Sequence, residues 1–436
     1  MSCNMRGHYD SVAVPPARSR YPSTCIYTVM FLGWNTSPSS KVKLLKYIYD
    51  SNNTRQTKET IVFIQNSSTI CCYIGCIQEE ARMRCRLAIT SMSLGRVQAG
   101  HSLAHRLDMA QKYGYKGIEL FYDDLLSIVT ELRLGETSLH TNQLLAASVI
   151  RDMCAARDIS ILTLQPFANY EGLVDRTAHA KRIEELKELW FPLAHTLGTD
   201  IIQIPSSYLP ADQISDDVGL IVQDLREVAD LGLQQEPPIR FVYESLGWGT
   251  RVDRWEQCWE VVRHVDRPNF GICLDTFNIA CAIYADPASP GGRTPRAEEE
   301  VRESMKRLVA RVDVRKVFYV QVVDAEKLAD PLVEGHPFYS ADLPARMSWS
   351  RNCRLFYGEH ERGAYLPVLP MALAIFRGLG FEGWVSLELF NRRMSDPDPI
   401  VPEELACRGA RSWAKLIRDV GLTTEKKDVV MPVASL

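Results

Sequence analysis

Four polar residues stand at the ends of short apolar runs in the middle and C-terminal parts of the chain. Glu244 and Asp275 each end such a run, and Gln321 and Glu388 directly follow similar runs. In parallel barrels of strands and helices, a position inside a strand normally holds a branched aliphatic side chain. A single acid at a strand end is often a helix cap or a surface anchor. Four polar residues on consecutive predicted strands indicate instead that they share one site.

The chemistry that these residues favour is the binding of a divalent cation. Three carboxylates brought together without a cation would repel one another, and burial would raise their pKa values. Three carboxylates and one amide oxygen form a hard ligand set that suits Mg²⁺ or Mn²⁺ better than Zn²⁺, with Co²⁺ as a third candidate. Four protein ligands also leave two octahedral positions for oxygens of a substrate. The sequence therefore predicts a metal site that is open to a small molecule.

The elements that must position these residues follow a repeating order from Arg86 onward. A short apolar run rich in β-branched residues is followed by a longer amphipathic stretch, which is typical of parallel βα units. One such stretch, Ala178–Leu197, has apolar residues at helical spacing with charges opposite. Eight strands are predicted, at Leu87–Met92, Gly117–Tyr122, Ser160–Phe167, Asp200–Pro205, Arg240–Leu246, Phe270–Phe277, Val317–Val323 and Trp384–Phe390.

Eight strands that are each followed by a helix predict a (β/α)8 TIM barrel, in which the C-terminal strand ends meet at one mouth. An open doubly wound sheet is the alternative. It is disfavoured because no Gly-x-Gly-x-x-Gly lies between the first strand and its helix, and Gly95 and Gly100 do not supply one. Strands five to eight, which carry the four polar residues, are neighbours in such a barrel.

Three further regions complete the predicted organisation, in which residues 86–422 form the barrel. Residues 324–383 are too long for one loop and one helix, so we expect an insert between strands seven and eight that forms part of the substrate pocket. Residues 1–85 do not continue the pattern, and we expect an irregular or disordered N-terminal extension that the barrel does not need. Residues 423–436 form a C-terminal tail.

Composition and charge narrow the function classes. The net charge is −4, but residues 1–86 carry 11 Lys and Arg against 5 Asp and Glu, so the rest of the chain is acidic. A moderately acidic body has no broad basic surface, which argues against nucleic-acid binding.

No apolar run reaches the ~20 residues needed to span a bilayer, so no membrane partner is expected. Cys72 and Cys76 lack a second pair of zinc ligands, and the later, scattered cysteines are typical of a reducing, cytoplasmic location.

Four segments carry a resemblance to a known family: Ala88–Gly95, Tyr243–Gly249, Cys273–Asn278 and Leu387–Asn391. In their sequence, their order and their placement on strands, these segments resemble those of fungal 3-dehydroshikimate dehydratases, which belong to the xylose isomerase-like barrel superfamily. The resemblance covers residues 86–422. It implies a lyase that eliminates water from 3-dehydroshikimate to give protocatechuate in quinate and shikimate catabolism.

The resemblance also implies roles for single residues. It assigns the metal to the same four residues that the strand-end pattern selects. It further implies that Ser350 and Arg354, in the insert, bind the substrate carboxylate, with Arg346 as another candidate. An arginine grips a carboxylate with two parallel hydrogen bonds, and a nearby hydroxyl adds a third.

One departure from the family leaves the proton acceptor open. Some bacterial relatives have His or Lys three positions after the metal-binding aspartate, where this chain has Asn278. An amide cannot act as a general base, so Asn278 is expected to bind substrate instead. His336 and His101 are the candidate catalytic bases by their loop positions, although a lone histidine is more often structural.

Two other functions remain open at the level of sequence. A sugar isomerase or epimerase of the same superfamily would use the same metal for proton transfer beside a carbonyl. A barrel that only binds a metabolite is the second alternative, and loss of a metal ligand would be its sign. A small-molecule substrate is expected in each case, and the sequence leaves a monomer and a homo-oligomer both open.

Overall fold

The computed structural model describes residues 84–133 and 138–424 with their side chains, and the backbone of four strands nearer the N-terminus. The chain divides into two compact units, residues 1–81 and residues 82–436. In the first unit the four strands pair antiparallel in sequence order. They are β1 (Ile26–Thr28), β2 (Lys43–Tyr49), β3 (Thr57–Asn66) and β4 (Thr69–Gly75). For the rest of residues 1–83, which lie outside the described residues, the irregular or disordered extension stays a prediction.

The second unit is built on a closed barrel of eight parallel strands, as predicted. The barrel closes because the last strand pairs with the first one. Its strands are β5 (Cys85–Thr90), β6 (Gly117–Phe121), β7 (Ser160–Gln165), β8 (Ile201–Pro205), β9 (Arg240–Glu244), β10 (Phe270–Asp275), β11 (Val317–Gln321) and, after the short antiparallel pair β12 (Asp324–Ala325) and β13 (Arg354–Leu355), β14 (Gly383–Leu387).

The predicted strands agree with the observed ones to within three residues at each end. The first strand shows the reason: Ser91 and Met92 leave the ladder for a 3-10 turn that runs from Ser91 to Leu94. Apolar runs continue into such turns because the turn residues are buried as well, so hydrophobicity alone does not mark where a strand ends.

Helices follow the strands around the outside of the barrel. The predicted helix Ala178–Leu197 is observed as two helices, Arg176–Glu185 and Phe191–Leu197, joined by a π-helical turn, Leu186–Trp190. The helices are α1 (Leu103–Lys112), α2 (Tyr122–Glu131), α3 (Leu139–Ala155), α4 (Arg176–Glu185), α5 (Phe191–Leu197), α6 (Val218–Leu233), α7 (Trp255–Val265), α8 (Thr276–Ile283), α9 (Ala297–Arg311), α10 (Ala345–Cys353), α11 (Val368–Ala372) and α12 (Val401–Val420).

Side-chain alternation along the strands creates two cores. One face of each strand packs against the helices, whereas the other fills the barrel interior. The interior apolar layer consists of Ala88, Leu162, Ile201, Val242, Cys273 and Tyr319. Because successive strand residues point to opposite faces, a residue two positions after an interior one is interior again. This spacing brings the strand-end residues after Val242, Cys273 and Tyr319 to the mouth of the barrel.

The insert between β11 and β14 contributes β12, β13, α10 and α11, and it starts at the C-terminal end of a barrel strand.

None of the helices in the described part of the chain is long and apolar enough to cross a membrane. The cysteines of the second unit are free thiols, and all except the partly exposed Cys407 are buried. Residues 425–436, most of the predicted tail, lie outside the described residues.

Candidate active site

Three buried carboxylates meet at the mouth of the barrel. Glu244 ends β9, Asp275 ends β10 and Glu388 directly follows β14. Each offers one oxygen, and these oxygens all lie within 4.8 Å of one another. We call Glu244, Asp275 and Glu388 the acidic cluster. Its convergence follows from the interior alternation of the strands, since each residue is the next inward position above the apolar layer.

Gln321 ends β11 and lies opposite Asp275 in the ladder between β10 and β11. Its Nε2 donates to both carboxylate oxygens of Glu119, at 3.1 and 3.0 Å. Its Oε1 is buried and has no hydrogen-bond partner among the described residues. Leaving a buried polar atom without a partner costs roughly 1–3 kcal/mol. An unpartnered amide oxygen, on a residue that is paired with Asp275 across the ladder, is a ligand atom that a cation would satisfy.

Two residues that the sequence analysis did not select also belong to the site. Glu119 lies in the middle of β6, fully buried, between the outward-facing Ile118 and Leu120. Gln165 ends β7, and its Nε2 donates to Glu119 Oε2 at 3.0 Å. A charged residue inside an apolar strand is the signal that found the other acids, and it would also have found Glu119.

Arg354 brings a positive charge from the insert into the barrel mouth. It is 1% exposed, and its Nη1 donates to Asp275 Oδ2 and to Glu388 Oε2, at 3.0 Å in both cases. Its Nε donates to Ser350 Oγ at 3.0 Å, and its guanidinium lies 4.1 Å from the ring centroid of Phe277. Arg354 is therefore the counter-ion of two carboxylates of the acidic cluster.

Burial and mutual repulsion raise the pKa values of the carboxyl groups in the acidic cluster. Burial, followed by the charge of Asp275, raises the pKa of Glu244 to about 8. Burial also raises the pKa of Asp275 and of Glu388, and the Arg354 guanidinium opposes both shifts. The single guanidinium of Arg354 thus does not neutralise the acidic cluster. Without a further cation, its carboxyl groups stay protonated at a higher pH than ordinary carboxyl groups do.

The residues present fit a divalent cation. The acidic cluster and Glu119 together carry four formal negative charges, against the single positive charge of Arg354. A cation bound by Glu244, Asp275, Glu388 and Gln321 Oε1 would lower the cost of burying these charges and would satisfy the free amide oxygen. The donor set contains oxygen alone, which favours a hard ion.

A second group of candidate ligands, His179, Asp224 and Glu227, lies on the helices α4 and α6 and not on barrel strands. Arg176 donates to both carboxylate oxygens of Asp224, at 2.7 and 3.0 Å. The Nε2 of His179 lies 3.0 Å from the hydroxyl of Tyr170. Because Arg176 and Tyr170 already bind Asp224 and His179, this group lacks the uncompensated negative charge of the acidic cluster. In the described part of the chain, none of this group's side-chain nitrogen or oxygen atoms is buried without a hydrogen-bond partner, as Gln321 Oε1 is.

Asn278 lies directly behind the acidic cluster. Its Nδ2 donates to Glu244 Oε1 at 2.8 Å and to Asp275 Oδ2 at 2.7 Å, and its Oδ1 accepts a hydrogen bond from the Gly247 backbone at 3.0 Å. Gln203 Nε2 donates to the other oxygen of Glu244. The structure therefore joins Asn278 to two of the predicted metal ligands, whereas the sequence analysis expected a contact with substrate.

A cavity of about 390 Å³ opens above the acidic cluster, and we call it the central cavity. Barrel residues and insert residues line it together, among them Gln165, Gln203, Glu244, Glu388, Ser350 and Arg354. Two further arginines, Arg96 and Arg351, line the same cavity. Neither makes a side-chain hydrogen bond or an ion pair with any residue that the structure describes. The central cavity thus combines an acidic floor with a wall on which Arg96 and Arg351 outnumber the single carboxylate of Asp123.

Three residues named by the sequence analysis lie elsewhere. The Nε2 of His101 lies 2.7 Å from the Asp396 carbonyl oxygen, and the Nδ1 of His336 accepts from the Phe338 backbone at 3.1 Å. Arg346 Nη2 donates to the Ala285 carbonyl at 3.3 Å, and Arg346 lines a neighbouring cavity. None of the three lines the central cavity.

Comparison with known proteins gives a consistent result. A family model described as a xylose isomerase-like TIM barrel matches residues 107–415. A 3-dehydroshikimate dehydratase of Neurospora crassa is 62% identical over 357 residues, which cover 81% of this chain and 99% of that protein. A 3-dehydroshikimate dehydratase of Pseudomonas aeruginosa is 30% identical over 299 residues, covering 69% of this chain but 38% of the bacterial protein.

Solved structures share the fold. A xylose isomerase-like TIM barrel/4-hydroxyphenylpyruvate dioxygenase fusion protein superposes with a TM-score of 0.57 at 26% identity, covering 78% of this chain and 44% of that one. The IOLI protein, whose crystal structure has a bound zinc atom, superposes with a TM-score of 0.53 at 18% identity, covering 79% of this chain and all of that one. At that identity the likeness concerns the fold alone.

Proposed function

This chain belongs to the xylose isomerase-like TIM barrels and, within them, to the 3-dehydroshikimate dehydratases, and from that premise we propose how its residues carry out the reaction. As a hydro-lyase it converts 3-dehydroshikimate into protocatechuate. The substrate is a β-hydroxy ketone with a carboxylate on the ring. Loss of a proton beside the ketone and of the β-hydroxyl leads to an aromatic product, so the enzyme has to ease deprotonation and to hold the ring in place.

We assign the cation to Glu244, Asp275, Gln321 and Glu388. Three carboxylates and the free Oε1 of Gln321 form an oxygen-only set, which suits Mg²⁺, Mn²⁺ or Co²⁺. When bound, a divalent cation supplies Lewis-acid polarisation of the substrate ketone. Asn278 and Gln203 each donate to one oxygen of the Glu244 carboxylate, so that its position is fixed before substrate arrives.

We assign the substrate carboxylate to the insert. Ser350 and Arg354 both line the central cavity, and the hydrogen bond between them orients the guanidinium. The Nε and Nη1 atoms of Arg354 are engaged, whereas its Nη2 makes no hydrogen bond with the described residues. Nη2 and the Ser350 hydroxyl remain for an anionic oxygen. Phe390 also lines the cavity and narrows the space for water.

The single observation that carries this proposal is the coexistence of the acidic cluster and three arginines around one cavity. A sugar isomerase acting on a neutral sugar needs the metal ligands but has no use for unpaired guanidinium groups on the cavity wall. A substrate with both a ketone and a carboxylate needs both features. The guanidinium groups of Arg96 and Arg351, together with the free Nη2 of Arg354, therefore favour the dehydratase over the isomerase.

The proposal is tested by mixing the purified full-length protein with 3-dehydroshikimate and following protocatechuate by its ultraviolet absorbance. We expect product in the presence of Mg²⁺ or Mn²⁺, little product after exhaustive chelation, and recovery when the cation is restored. Ketose sugars serve as control substrates and should remain unchanged. Full activity after chelation would exclude the metal mechanism, and conversion of sugars but not of 3-dehydroshikimate would exclude the dehydratase.

A further inference from the structure

Glu119 is a fully buried carboxylate with no place in the mechanism described so far. It lies inside the barrel on β6, and it does not line the central cavity. Four hydrogen bonds reach it: one from Thr90 Oγ1 at 3.2 Å, one from Gln165 Nε2 at 3.0 Å, and two from Gln321 Nε2. Burying a charge is costly, and these donors offset part of that cost.

The geometry of Gln321 indicates what that task is. An amide carries one nitrogen and one oxygen on the same carbon, so a group that binds the nitrogen also decides where the oxygen lies. Both oxygens of Glu119 accept from Nε2 of Gln321, at 3.1 and 3.0 Å. Oε1 is thereby held away from Glu119, buried and without a partner in the described part of the chain. A neutral acceptor would bind this amide less strongly than a carboxylate does.

Glu119 is also joined to the acidic cluster through a second amide. Nε2 of Gln165 donates to Glu119 Oε2 at 3.0 Å and lies 3.4 Å from Glu388 Oε1. Glu119 thus orients two neutral side chains, one of which is a proposed metal ligand and the other of which contacts a proposed metal ligand. Direct catalysis is disfavoured because Glu119 does not line the cavity that would hold the substrate.

We propose that Glu119 is a positioning residue that fixes the amide of Gln321 with Oε1 toward the divalent cation held by the acidic cluster. The inference rests on the proposed metal site. It adds a requirement that the four ligands do not contain: the amide ligand binds the cation well only while Glu119 holds its nitrogen. Partners of this kind behind metal ligands typically change metal affinity by 10–100-fold when they are lost.

The test measures the affinity of the metal-free full-length protein for Mn²⁺ alone, by the electron paramagnetic resonance signal of the free ion. We expect Glu119→Gln to weaken Mn²⁺ binding by about 10–100-fold, because the new amide does not select one orientation of Gln321. Glu171→Gln replaces another fully buried carboxylate outside the site and should bind Mn²⁺ as the wild type does. Wild-type affinity in Glu119→Gln would overturn the inference.

Two further variants separate positioning from charge and from folding. Glu119→Asp retains the charge but withdraws the carboxylate from Gln321, so it should also weaken Mn²⁺ binding; wild-type affinity would mean that Glu119 acts by charge alone and would overturn the inference. In a Gln321→Ala background, Glu119→Gln should cause no further loss, because its effect passes through Gln321. An undiminished further loss would likewise contradict it.

The failure of the inference differs from the failure of the proposed metal site. If the wild-type protein does not bind Mn²⁺ at all, the metal site itself is wrong. If the wild type binds Mn²⁺ and Gln321→Ala binds it more weakly, but both Glu119 variants bind it as the wild type does, the metal site stands and only the role of Glu119 falls. Circular dichroism of each variant establishes that it is folded before its affinity is compared.

Discussion

Arg354 Nη1 lies 3.0 Å from Asp275 Oδ2, so a residue of the insert is paired with a strand-end residue of the barrel although 79 positions separate them in the chain. Both side chains are almost completely buried. The pair joins the insert to the barrel and supplies the only cation that contacts the acidic cluster among the described residues. Its loss therefore affects both stability and binding.

Arg354→Gln should destabilise the metal-free protein more than the metal-bound one. Removing one partner of a buried ion pair typically costs about 3–5 kcal/mol, because the remaining charges are left unpaired. A bound cation would compensate part of that loss. We expect a larger fall in Tm in chelator than in Mn²⁺, together with a higher KM for 3-dehydroshikimate. Arg106→Gln breaks the buried pair of Arg106 with Asp124, at 2.8 Å, and serves as a control that should not depend on metal. Equal losses for Arg354→Gln in both conditions would contradict the assignment.

Glu244→Gln should almost abolish turnover while the protein remains folded. The substitution retains the volume of the side chain but removes one of three charges of the acidic cluster. Asn278 and Gln203 both direct amide N–H groups at Glu244, so a new amide places N–H against N–H on one side. We expect a loss of at least about 100-fold in kcat, partly recovered by excess Mn²⁺. The exposed Glu184 supplies the control variant Glu184→Gln. Wild-type activity of Glu244→Gln without added metal would exclude the four-ligand site.

Arg96 and Arg351 should attract the anionic substrate. They are unpaired on the wall of the central cavity, and burial together with the charge of Arg351 lowers the pKa of Arg96. Replacing both by Gln should lower kcat/KM by about tenfold at low ionic strength and should flatten its dependence on salt. Arg302→Gln removes one charge from the outer helix α9 and should change neither. Kinetics across a salt series provide the measurement, and an unchanged salt dependence in the double variant would rule out this role.

Glu171 should make the stability of the protein depend on pH. Burial raises its pKa from the ordinary 4.5 to about 7, and its Oε2 has no partner among the described residues. Between about pH 4.5 and pH 7, Glu171 is therefore protonated in the folded protein and ionised in the unfolded chain. The stabilising contribution is therefore complete below about pH 4.5 and is lost as the pH rises through 7, by roughly 3 kcal/mol in all.

Glu171→Gln removes that titration and isolates it from those of the acidic cluster. The variant retains an acceptor for the Ser207 backbone and the Tyr243 hydroxyl, which Glu171 binds at 2.6 and 3.0 Å. We expect the variant to gain stability relative to the wild type as the pH increases from 5 to 8, measured by urea unfolding at each pH. A difference between the two proteins that does not change with pH would contradict the raised pKa.

Removal of residues 1–81 should leave a folded and active enzyme. Residues 82–436 form one compact unit, and the barrel begins at Cys85. The truncated chain retains Arg84, whose backbone N–H donates to Glu382 at 3.2 Å, and Cys85, whose N–H donates to the Thr423 carbonyl at 2.9 Å. We expect unchanged kcat/KM and a cooperative thermal transition. An insoluble or inactive product would show that the barrel needs the N-terminal unit.

The fold was predictable from the sequence because each barrel strand alternates between two buried faces and is separated from the next by a helical stretch. The same alternation explains why four strand-end residues could be selected: Glu244, Asp275 and Glu388 meet as a cluster, and Gln321 lies opposite Asp275. Glu119 was missed although it gives the same signal, since it lies in the middle of its strand and not at its end.

Other parts of the site could not be predicted, because they depend on where loops fold back. Nothing local to Arg354 indicates that it pairs with Asp275, since β12, β13 and α10 must first place it there. The same limit applies to His336 and His101: their positions after strands suggested the cavity, whereas backbone partners hold both elsewhere. Loop position indicates a neighbourhood and not an orientation.

The division of the central cavity between strand ends and insert has a consequence for how such enzymes diversify. The acidic cluster belongs to the barrel, whose closure tolerates little change, while Ser350, Arg351 and Arg354 belong to a segment that leaves the barrel after β11 and returns at β14. A lineage that exchanges this segment inherits the metal ligands of the barrel, and the new segment must again supply a cation for Asp275 and Glu388, as Arg354 does here. For protein engineering, residues 324–382 are accordingly the segment to graft or to randomise, with Arg354 retained, when the aim is a different acid and the same elimination.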